Sequence, residues 1–514
     1  MNIQMRRVPT LLAVLVLFLQ VMVRAAPGEY FAIEVVDEQT GRGVPLVELK
    51  TTNNIRYWTD SNGLVAFNEP GLMDQTVFFN VWSPGYEFPK DGFGIAGAAL
   101  NIKAGDSKTL KLKRTNIAER LYRSTGQGIY RDTVLLGRKA PIEQPVLNGQ
   151  VMGQDSVIAL PYNNKIYWFW GDTAKPSYPL GLFAMSGATS ELPARGGLAP
   201  DVGINFTYFT GKDGFSRGMA PLKEPGPVWL DGVVTINDDS GRERLFAHFS
   251  RMKDLGTRLE RGLMLYNDER EVFERFKPVD LDAVLAPGGH PFRVSVDGQE
   301  YFYFPTPYPA TRVKADFKSV TNLDEYEAYT PLVQGTRYTK GEAKLDRDKK
   351  GKLNWAWKKD TQPLQGPEIE ELIKDGKLKS EECPFRLTDV QTKKPILLHG
   401  CSIYWNDYRK KLIMIGLQMW GGSSNIGEVY FAESTKPEGP WVWARKIVTH
   451  TKMDFYNPTQ HPFFDEQAGR IIYFQGTYTN TFSGDPTPTP RYEYNQVMYR
   501  LDLADARLRL PAAQ

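Results

Sequence analysis

One motif recurs five times between about Pro145 and Leu503, and it limits what the chain can fold into. In each copy a β-forming run meets a short polar turn, and a second β-forming run rich in aromatic residues follows. Turn pairs such as Asn-Asn and Asp-Gly supply the positive φ angles that tight hairpins need. Five hairpins in succession indicate a repeat architecture. The five copies are DSVIALPYNNKIYWFWGD, DGVVTINDDSGRERLFAHF, PFRVSVDGQEYFYFP, GCSIYWNDYRKKLIMIGL and PTQHPFFDEQAGRIIYFQGTY.

The intervals between the hairpins predict larger β-units. They are irregular and too long for a meander of single hairpins, but they suit four-stranded blades with insertions. We therefore predict an all-β fold with a five-bladed β-propeller over residues 145–503, two stacked sandwiches being the alternative. A charged insertion over 338–380, whose segment PEIEELIKDG is typical of a helix, is expected to decorate the rim.

The regions before and after this repeat carry other patterns. Residues 29–114 hold short β-runs between turn clusters, which predicts a small β-sandwich. Residues 115–144 are expected to be a linker with a short helix around Ile117 to Tyr122, and 504–514 a C-terminal tail. Two arginines, an apolar run and small residues within 1–26 predict a secretory signal peptide, an uncleaved anchor being the alternative. We expect an exported protein, periplasmic, cell-surface or extracellular, with no transmembrane segment in the mature chain.

Charge and cysteine content exclude some classes of partner and leave others open. The net charge is only +3 and the 63 basic residues are scattered along the chain, so no nucleic-acid partner is expected. The chain has no glycine-rich phosphate loop and no GxSxG nucleophile motif. Cys383 and Cys401 either form one bridge in an oxidising compartment or remain two separate thiols.

The first hairpin brings two aspartates into register. If Asn163 and Asn164 form its two-residue turn, Asp155 lies directly opposite Asp172 on the neighbouring strand. Opposed residues have Cβ atoms about 4.5 to 5.5 Å apart, so the two like charges are forced together. Adjacent carboxyls titrate at different pKa values, as an acid and base partnership requires. The structural alternative is that Asp155 caps a turn and Asp172 bonds the loop that follows.

The second hairpin repeats this arrangement with a different pair. Asp231 opens its first strand and His248 ends the second, so we expect the imidazole to face the carboxylate. A buried histidine bonded to a carboxylate for structure is the alternative. Matching positions near the other hairpins carry further imidazoles and amides, namely His290, His399, Gln418, Asn457, His461 and Gln475.

Three tryptophans are expected beside these polar groups, namely Trp170, Trp229 and Trp420. A ring of acids, imidazoles and amides suits sugar hydroxyls, which both donate and accept hydrogen bonds, while aromatic rings stack on apolar sugar faces. It suits a metal less well, because HExxH and Cys-His spacings are absent from the sequence. No cofactor is therefore predicted, with a single channel cation such as calcium as the alternative.

Two regions of the chain resemble known families. GQDSVIALPYNNKIYWFWGDT, WLDGVV and GEVYFAESTKPEGPW resemble five-bladed propeller glycosidases, and the Gly-Asp-Thr ending is most similar to the propeller family that contains endo-D-arabinanases. The stretch VVDEQTGRGVPLVELKTT resembles transthyretin-like or carboxypeptidase-regulatory-like modules, to which no chemistry is assigned. The glycosidase resemblance implies that Asp155 and Asp172 carry hydrolysis and that Asp231 tunes the acid. One branch places a glutamate acid in the third blade, where this chain has Gly289-His290-Pro291, and this departure favours the pair in the first hairpin.

These patterns predict a secreted glycoside hydrolase that acts on a carbohydrate. Its expected catalytic residues are Asp155, Asp172 and Asp231. The expected substrate-binding residues are His248, His290, Trp170, Trp229, Trp420, Asn457 and His461. The alternatives are a carbohydrate-binding or scaffold propeller without turnover and a polysaccharide lyase with a tyrosine or histidine base. Retention or inversion follows from the carboxyl separation and stays open at this point.

Overall fold

The computed structural model describes residues 27–285, 287–340 and 342–512. The predicted signal peptide over 1–26 lies outside the described residues. Over these residues the fold is mostly β-strand, and the three short α-helices among them are α1 (Arg131–Leu135), α2 (Phe317–Val320) and α3 (Gly366–Lys374). Within the described ranges, no helix is both long and apolar enough to cross a membrane.

Eight strands near the N-terminus form two four-stranded sheets, which we call the N-terminal sheet pair. Their orders are β4-β1-β8-β6 and β3-β2-β5-β7. Side chains alternate along β5, so that its Val77, Phe79 and Val81 point into one core shared by both sheets. The strands are β1 (Phe31–Asp37), β2 (Glu48–Thr51), β3 (Arg56–Trp58), β4 (Leu64–Phe67), β5 (Thr76–Trp82), β6 (Tyr86–Glu87), β7 (Gly97–Asn101) and β8 (Ser107–Arg114).

The rest of the chain carries the remaining strands, which include all five predicted hairpins as antiparallel pairs. These strands are β9 (Glu119–Arg123), β10 (Gly153–Gln154), β11 (Ile158–Tyr162), β12 (Lys165–Trp170), β13 (Thr173–Lys175), β14 (Tyr178–Leu182), β15 (Ser186–Glu191), β16 (Thr207–Tyr208), β17 (Val228–Asn237), β18 (Glu243–Met252), β19 (Arg258–Asn267), β20 (Val272–Val279), β21 (Phe292–Val296), β22 (Gln299–Phe304), β23 (Thr311–Lys314), β24 (Glu327–Thr330), β25 (Ala356–Lys358), β26 (Phe385–Asp389), β27 (Leu398–Asn406), β28 (Lys411–Gln418), β29 (Val429–Ser434), β30 (Trp441–Val448), β31 (Asp454–Gln460), β32 (Ile471–Thr479) and β33 (Asn495–Asp502).

Five larger sheets follow the hairpins along the chain. They are sheet I (β11-β12-β15-β16), sheet II (β17-β18-β19-β20), sheet III (β21-β22-β23-β24-β25), sheet IV (β26-β30-β29-β28-β27) and sheet V (β31-β32-β33-β9). A small sheet, β10-β13-β14, stands beside sheet I.

Buried apolar clusters join each of these sheets to the next. Phe169 of sheet I packs with Leu230 of sheet II, and equivalent clusters join sheets II and III, III and IV, and IV and V. A further cluster joins sheet V back to sheet I, where Met498 packs with Trp168. Every one of the five sheets therefore packs against two neighbours.

The segment expected to be a linker contains a strand that completes sheet V. Strand β9 pairs with β33, which lies near the C-terminus, and the predicted helix around Ile117 to Tyr122 is therefore wrong. An extended backbone is favoured here because the open edge of β33 supplies hydrogen-bonding partners. The buried guanidinium of Arg120 also donates to the carbonyl oxygens of Pro45 and Pro84, at 3.0 and 2.7 Å. The same short segment thus closes sheet V and binds it to the N-terminal sheet pair.

The insertion and the C-terminal tail are both packed against the body of the protein. The expected helix in the insertion is α3, which has proline in its first turn and buries Ile369 and Leu372. In the tail, Leu508 is fully buried in the cluster between sheets IV and V.

Cys383 and Cys401 are separate thiols.

Candidate functional site

A cavity of about 610 Å³ lies beside strands β11, β17, β27 and β31, which belong to sheets I, II, IV and V. The turn before sheet III also reaches it, and Gln365 at the start of α3 contributes to its wall. The insertion therefore borders this cavity. The polar and aromatic residues of the lining include Asp155, Ser156, Asp172, Trp229, Asp231, His290, His399 and Asn457.

The first hairpin has the register predicted from its turn. Tyr162 pairs with Lys165 next to the turn, and Gln154 pairs with Thr173 beyond the strand ends, in the same register. Between these two ladders the Asp155 amide donates to the Asp172 carbonyl at 3.3 Å. The two aspartates are therefore backbone neighbours, and both line the cavity.

Two tyrosines from sheet V hold the Asp155 carboxylate. The Tyr456 hydroxyl donates to Oδ2 at 2.7 Å, and the Tyr494 hydroxyl donates to the same oxygen. Within the described structure Oδ1 is buried and has no hydrogen-bond partner. A Cβ at position 171 would lie 2.1 Å from Oδ1, so only Gly171 leaves room for this carboxylate. Burial raises the pKa of Asp155, and the two phenol donors oppose that shift.

Asp172 is less enclosed than Asp155. Burial, and then the charge of Asp155, raise the pKa of Asp172 to about 6. The indole N–H of Trp229 donates to its Oδ1 at 3.4 Å, which partly opposes this rise. The pair therefore combines a tightly held carboxyl with a more open one, which suits a proton donor and its partner.

Asp231 is held by backbone amides. The amides of Gly232 and Gly289 donate to its Oδ1 at 2.8 and 2.7 Å. Its side chain is exposed to the cavity, but the surrounding walls displace water, and this desolvation raises its pKa to about 6. The Gly288-Gly289 turn, which leads into the Gly289-His290-Pro291 segment where one branch has a glutamate, thus cradles Asp231. A Cβ at Gly288 would lie only 2.5 Å from Oδ2.

His248 does not face Asp231, although their backbones pair as predicted. Its ring is buried between sheets II and III and lies 3.1 Å from the Tyr326 hydroxyl. A bulge between Asp231 and Val234 interrupts the ladder at this point, and such a bulge re-aims the neighbouring side chains. The expected Asp-His contact is therefore wrong. His248 is buried, as the structural alternative expected, but its partner is a tyrosine hydroxyl and not a carboxylate.

Three other predicted binding residues also lie away from the cavity. Trp170 is fully buried and stacks on Trp168 in the cluster between sheets V and I. His461 is buried beside the same Trp168. Trp420 is 64% exposed but does not line the cavity. Positions counted along the strands do not show which face a side chain takes, and the placements of Trp170 and His461 at the cavity mouth are wrong.

The remaining predicted binding residues do line the cavity. Burial lowers the pKa of His290 to about 4, so its imidazole is neutral near pH 7. The Asn457 amide donates to the Ser156 hydroxyl at 2.6 Å. Trp229 joins them through its contact with Asp172. These groups surround the aspartates with neutral donors, acceptors and one aromatic ring.

Sequence reasoning missed Tyr456 and Tyr494, which lie about 300 residues or more from Asp155 in the chain. Tyr456 directly precedes Asn457, a residue that the pattern did select. Tyr494 follows an irregular loop and has no motif of its own. In the described part of the chain, no group of three or more histidine, cysteine or acidic residues is placed to hold a metal ion.

No family model and no curated protein matches this chain. Solved structures that it matches are glycoside hydrolases of propeller-type families. One is a putative exo-beta-1,3-galactanase from Bifidobacterium bifidum, at 10% identity and a TM-score of 0.35, over 75% of this chain and 94% of that one. A second is an exo-1,5-alpha-L-arabinanase from a bovine ruminal metagenomic library, at 11% identity and a TM-score of 0.34, over 69% and 94%. A third is a GH43_1 enzyme from Xanthomonas citri complexed with xylotriose, at 10% identity and a TM-score of 0.33, over 71% and 92%.

Proposed function

We propose that this chain is an exported glycoside hydrolase that cleaves an extracellular polysaccharide or oligosaccharide. The observation that carries the proposal is the single cavity lined by Asp155, Asp172 and Asp231, whose carboxyl pKa values are all raised. Glycosidic bond cleavage needs one carboxyl that donates a proton and another that acts as base or nucleophile. Raised and unequal carboxyl environments supply that pair near neutral pH.

We assign the proton donor to Asp172 and the base or nucleophile to Asp155. Two phenol hydroxyls donate to Asp155 and favour its ionised form, whereas Asp172 receives one longer bond from Trp229. The negative charge on Asp155 in turn favours the proton on Asp172. Asp231, fixed by two amides, tunes the acid or binds a sugar hydroxyl.

The architecture assigned to this function is a five-bladed β-propeller preceded by a carboxypeptidase-regulatory-like β-sandwich. Support for five blades comes from sheets I to V, each of which packs against two neighbours. Strand β9 comes before the first hairpin in the chain, yet it completes sheet V by pairing with β33 near the C-terminus. This pairing is consistent with a ring of blades in which the first and last strands share one blade. The N-terminal sheet pair provides the sandwich.

Hydrolysis is supported over a lyase reaction by the state of the two tyrosines. A tyrosine base must lose its proton near neutral pH, whereas burial and the neighbouring Asp155 raise the pKa values of Tyr456 and Tyr494. Both phenols are instead placed as donors to a carboxylate. His290, which is neutral and open to the cavity, remains the candidate base for a lyase.

The test measures reducing ends released from arabinan, D-arabinan, galactan and xylan by the wild-type protein and by Asp155→Asn. Removing this carboxylate should lower the rate about 10²- to 10⁴-fold while polysaccharide binding persists. Asp407→Asn, at an exposed turn of the fourth hairpin, is the matched control and should keep full activity. Binding without turnover by the wild type would identify a binding module. Unsaturated products that absorb ultraviolet light would identify a lyase.

A further inference from the structure

A second groove, of about 440 Å³, lies between the N-terminal sheet pair and the loops that flank β31 and β33. One wall is the outward face of β3-β2-β5, and the other comes from residues 451–453 and 485–489. None of the three aspartates lines this groove, and the proposed catalytic mechanism does not use it.

The outward face of the sheet carries an ordered grid of side chains. Glu48 on β2 pairs with Trp58 on one side and Trp82 on the other; the Trp58 indole is buried in the cluster between sheets IV and V, and the Trp82 indole is exposed. In the next row on the same face, Lys50 stands between Arg56 and Asn80. Neighbouring strands are about 4.8 Å apart, so each row spans roughly the width of a sugar unit or two.

This face is unusual in what it leaves exposed and unpaired. Trp82 is 43% exposed, a large apolar surface beside charged groups. Among the described residues, the ammonium groups of Lys50 and, on the opposite wall, Lys452 have no hydrogen-bond or ion-pair partner, and Glu48 has only a 3.6 Å contact with Arg56. The groove thus presents an aromatic surface with unused donors and acceptors around it.

We infer that this groove is a second carbohydrate-binding site, which holds a distant part of the polymer cleaved at the aspartate cavity. Sugars combine apolar C–H faces with hydroxyls that donate and accept hydrogen bonds, and the grid offers both kinds of contact. The inference rests on the proposed function for the identity of the polymer, but not for the binding itself.

The chain connects the two sites through β31. Met453 lines the groove, and Tyr456 and Asn457 at the aspartate cavity follow within a few residues. Three residues of strand span about 10 Å, so the groove and the aspartate cavity are neighbours in the fold. A bound polymer would then be held at two points, which raises its affinity over that of a short oligosaccharide.

The experiment measures the affinity of the full chain for polysaccharide. It compares the single variant Asp155→Asn with the double variant that carries both Asp155→Asn and Trp82→Ala. Affinity electrophoresis in gels of arabinan, D-arabinan, galactan and xylan is the probe. We expect Trp82→Ala to weaken retention about tenfold, corresponding to about 1.4 kcal/mol. Trp405→Ala is the matched control, because Trp405 is 47% exposed and lies outside the groove, and it should bind normally. Asn80→Ala tests the polar part of the grid and should weaken binding less.

Activity separates this inference from the proposed function. With Asp155 intact, Trp82→Ala should raise KM for polymer and leave kcat for a short oligosaccharide unchanged. Unchanged polymer retention by Trp82→Ala, with a normal melting temperature, would overturn the inference, as would the absence of retention on every gel. Trp82-dependent retention in a chain that hydrolyses nothing would support the groove and reject the hydrolase.

Discussion

The first two hairpins of the repeat are alike in sequence but place their side chains differently. Asp155 opposes Asp172 in one, and Asp231 opposes His248 in the other. In the first hairpin both side chains reach the cavity. In the second only Asp231 does, while His248 turns into the core beneath Tyr326. Strand register therefore fixes which backbones meet, and local backbone geometry decides whether their side chains share a site.

The two hairpins differ in whether the strand ladder keeps its register beside the aspartate. Gly232 has a φ angle of +55° at the bulge beside Asp231, and its amide bonds the Asp231 carboxylate. Ser156 holds the equivalent position after Asp155 and has a similar φ of +52°, but the first hairpin keeps one register from Gln154 to Tyr162. The bulge that shifts the second ladder therefore accompanies the separation of Asp231 from His248, while the unshifted ladder keeps Asp155 and Asp172 at one site.

The largest expected difference between the hairpins is catalytic. Asp172→Asn should reduce hydrolysis about 10²- to 10⁴-fold, since it removes the proposed proton donor, whereas His248→Gln should change kcat by less than about twofold. Initial rates on the polysaccharide that the wild type cleaves would measure both. A large loss of kcat in His248→Gln, with normal folding, would mean that the second hairpin works like the first.

The pH dependence sharpens the role of Asp172. Its pKa is raised to about 6, so the acid is protonated below that pH and loses its proton above it. The rate should therefore fall as the pH rises through about 6 in the wild type. In Asp172→Asn the residual rate should lose this decline. A wild-type rate that stays constant from pH 5 to 8 would contradict the assignment of Asp172 as the acid.

Tyr494→Phe tests the support behind Asp155. Losing a donor to Oδ2 raises the pKa of Asp155 further, so the ionised form needed for catalysis should appear only at higher pH. We expect about a tenfold lower rate, near the worth of one hydrogen bond to a charged group. Tyr266→Phe is the control, because within the described structure that buried hydroxyl has no partner. An unchanged pH profile in Tyr494→Phe would show that the contact is only structural.

A feature of the fold or of the candidate site could be predicted from the sequence when residues close together in the chain determine it. The register of Asp155 and Asp172 follows from a two-residue turn, and α3 from its own capping residues, so both were predictable locally. Tyr456 and Tyr494 reach Asp155 only because sheet V packs against sheet I, which no local pattern encodes. The strand β9 was missed for the same reason, since its partner β33 lies near the other end of the chain.

His248 should affect stability more than activity. Burial lowers the pKa of its imidazole to about 3, below the ordinary value near 6.5 of the unfolded chain. The unfolded chain therefore binds a proton that the folded chain excludes, and this histidine favours folding less as the pH falls below 6.5. Thermal unfolding from pH 7 to pH 5 should show a smaller loss of stability in His248→Gln than in the wild type, by up to about 2 kcal/mol. Equal losses in the two proteins would contradict a buried neutral imidazole.

The smallest expected effect isolates the bulge itself. Gly232→Ala places a Cβ in a left-handed backbone and about 3.2 Å from both the His248 ring and Phe304. Gly298→Ala, at the turn of the third hairpin, also has positive φ but meets nothing within 4 Å, so it measures the backbone strain alone. We expect the control to lower the free energy of unfolding by about 1 kcal/mol and Gly232→Ala by roughly 1 kcal/mol more. Denaturant unfolding of both variants gives the difference, and because the Gly232 amide holds Asp231, the same variant should also lower kcat. A Gly232→Ala protein as stable and active as Gly298→Ala would mean that the bulge does not cause the divergence between the two hairpins.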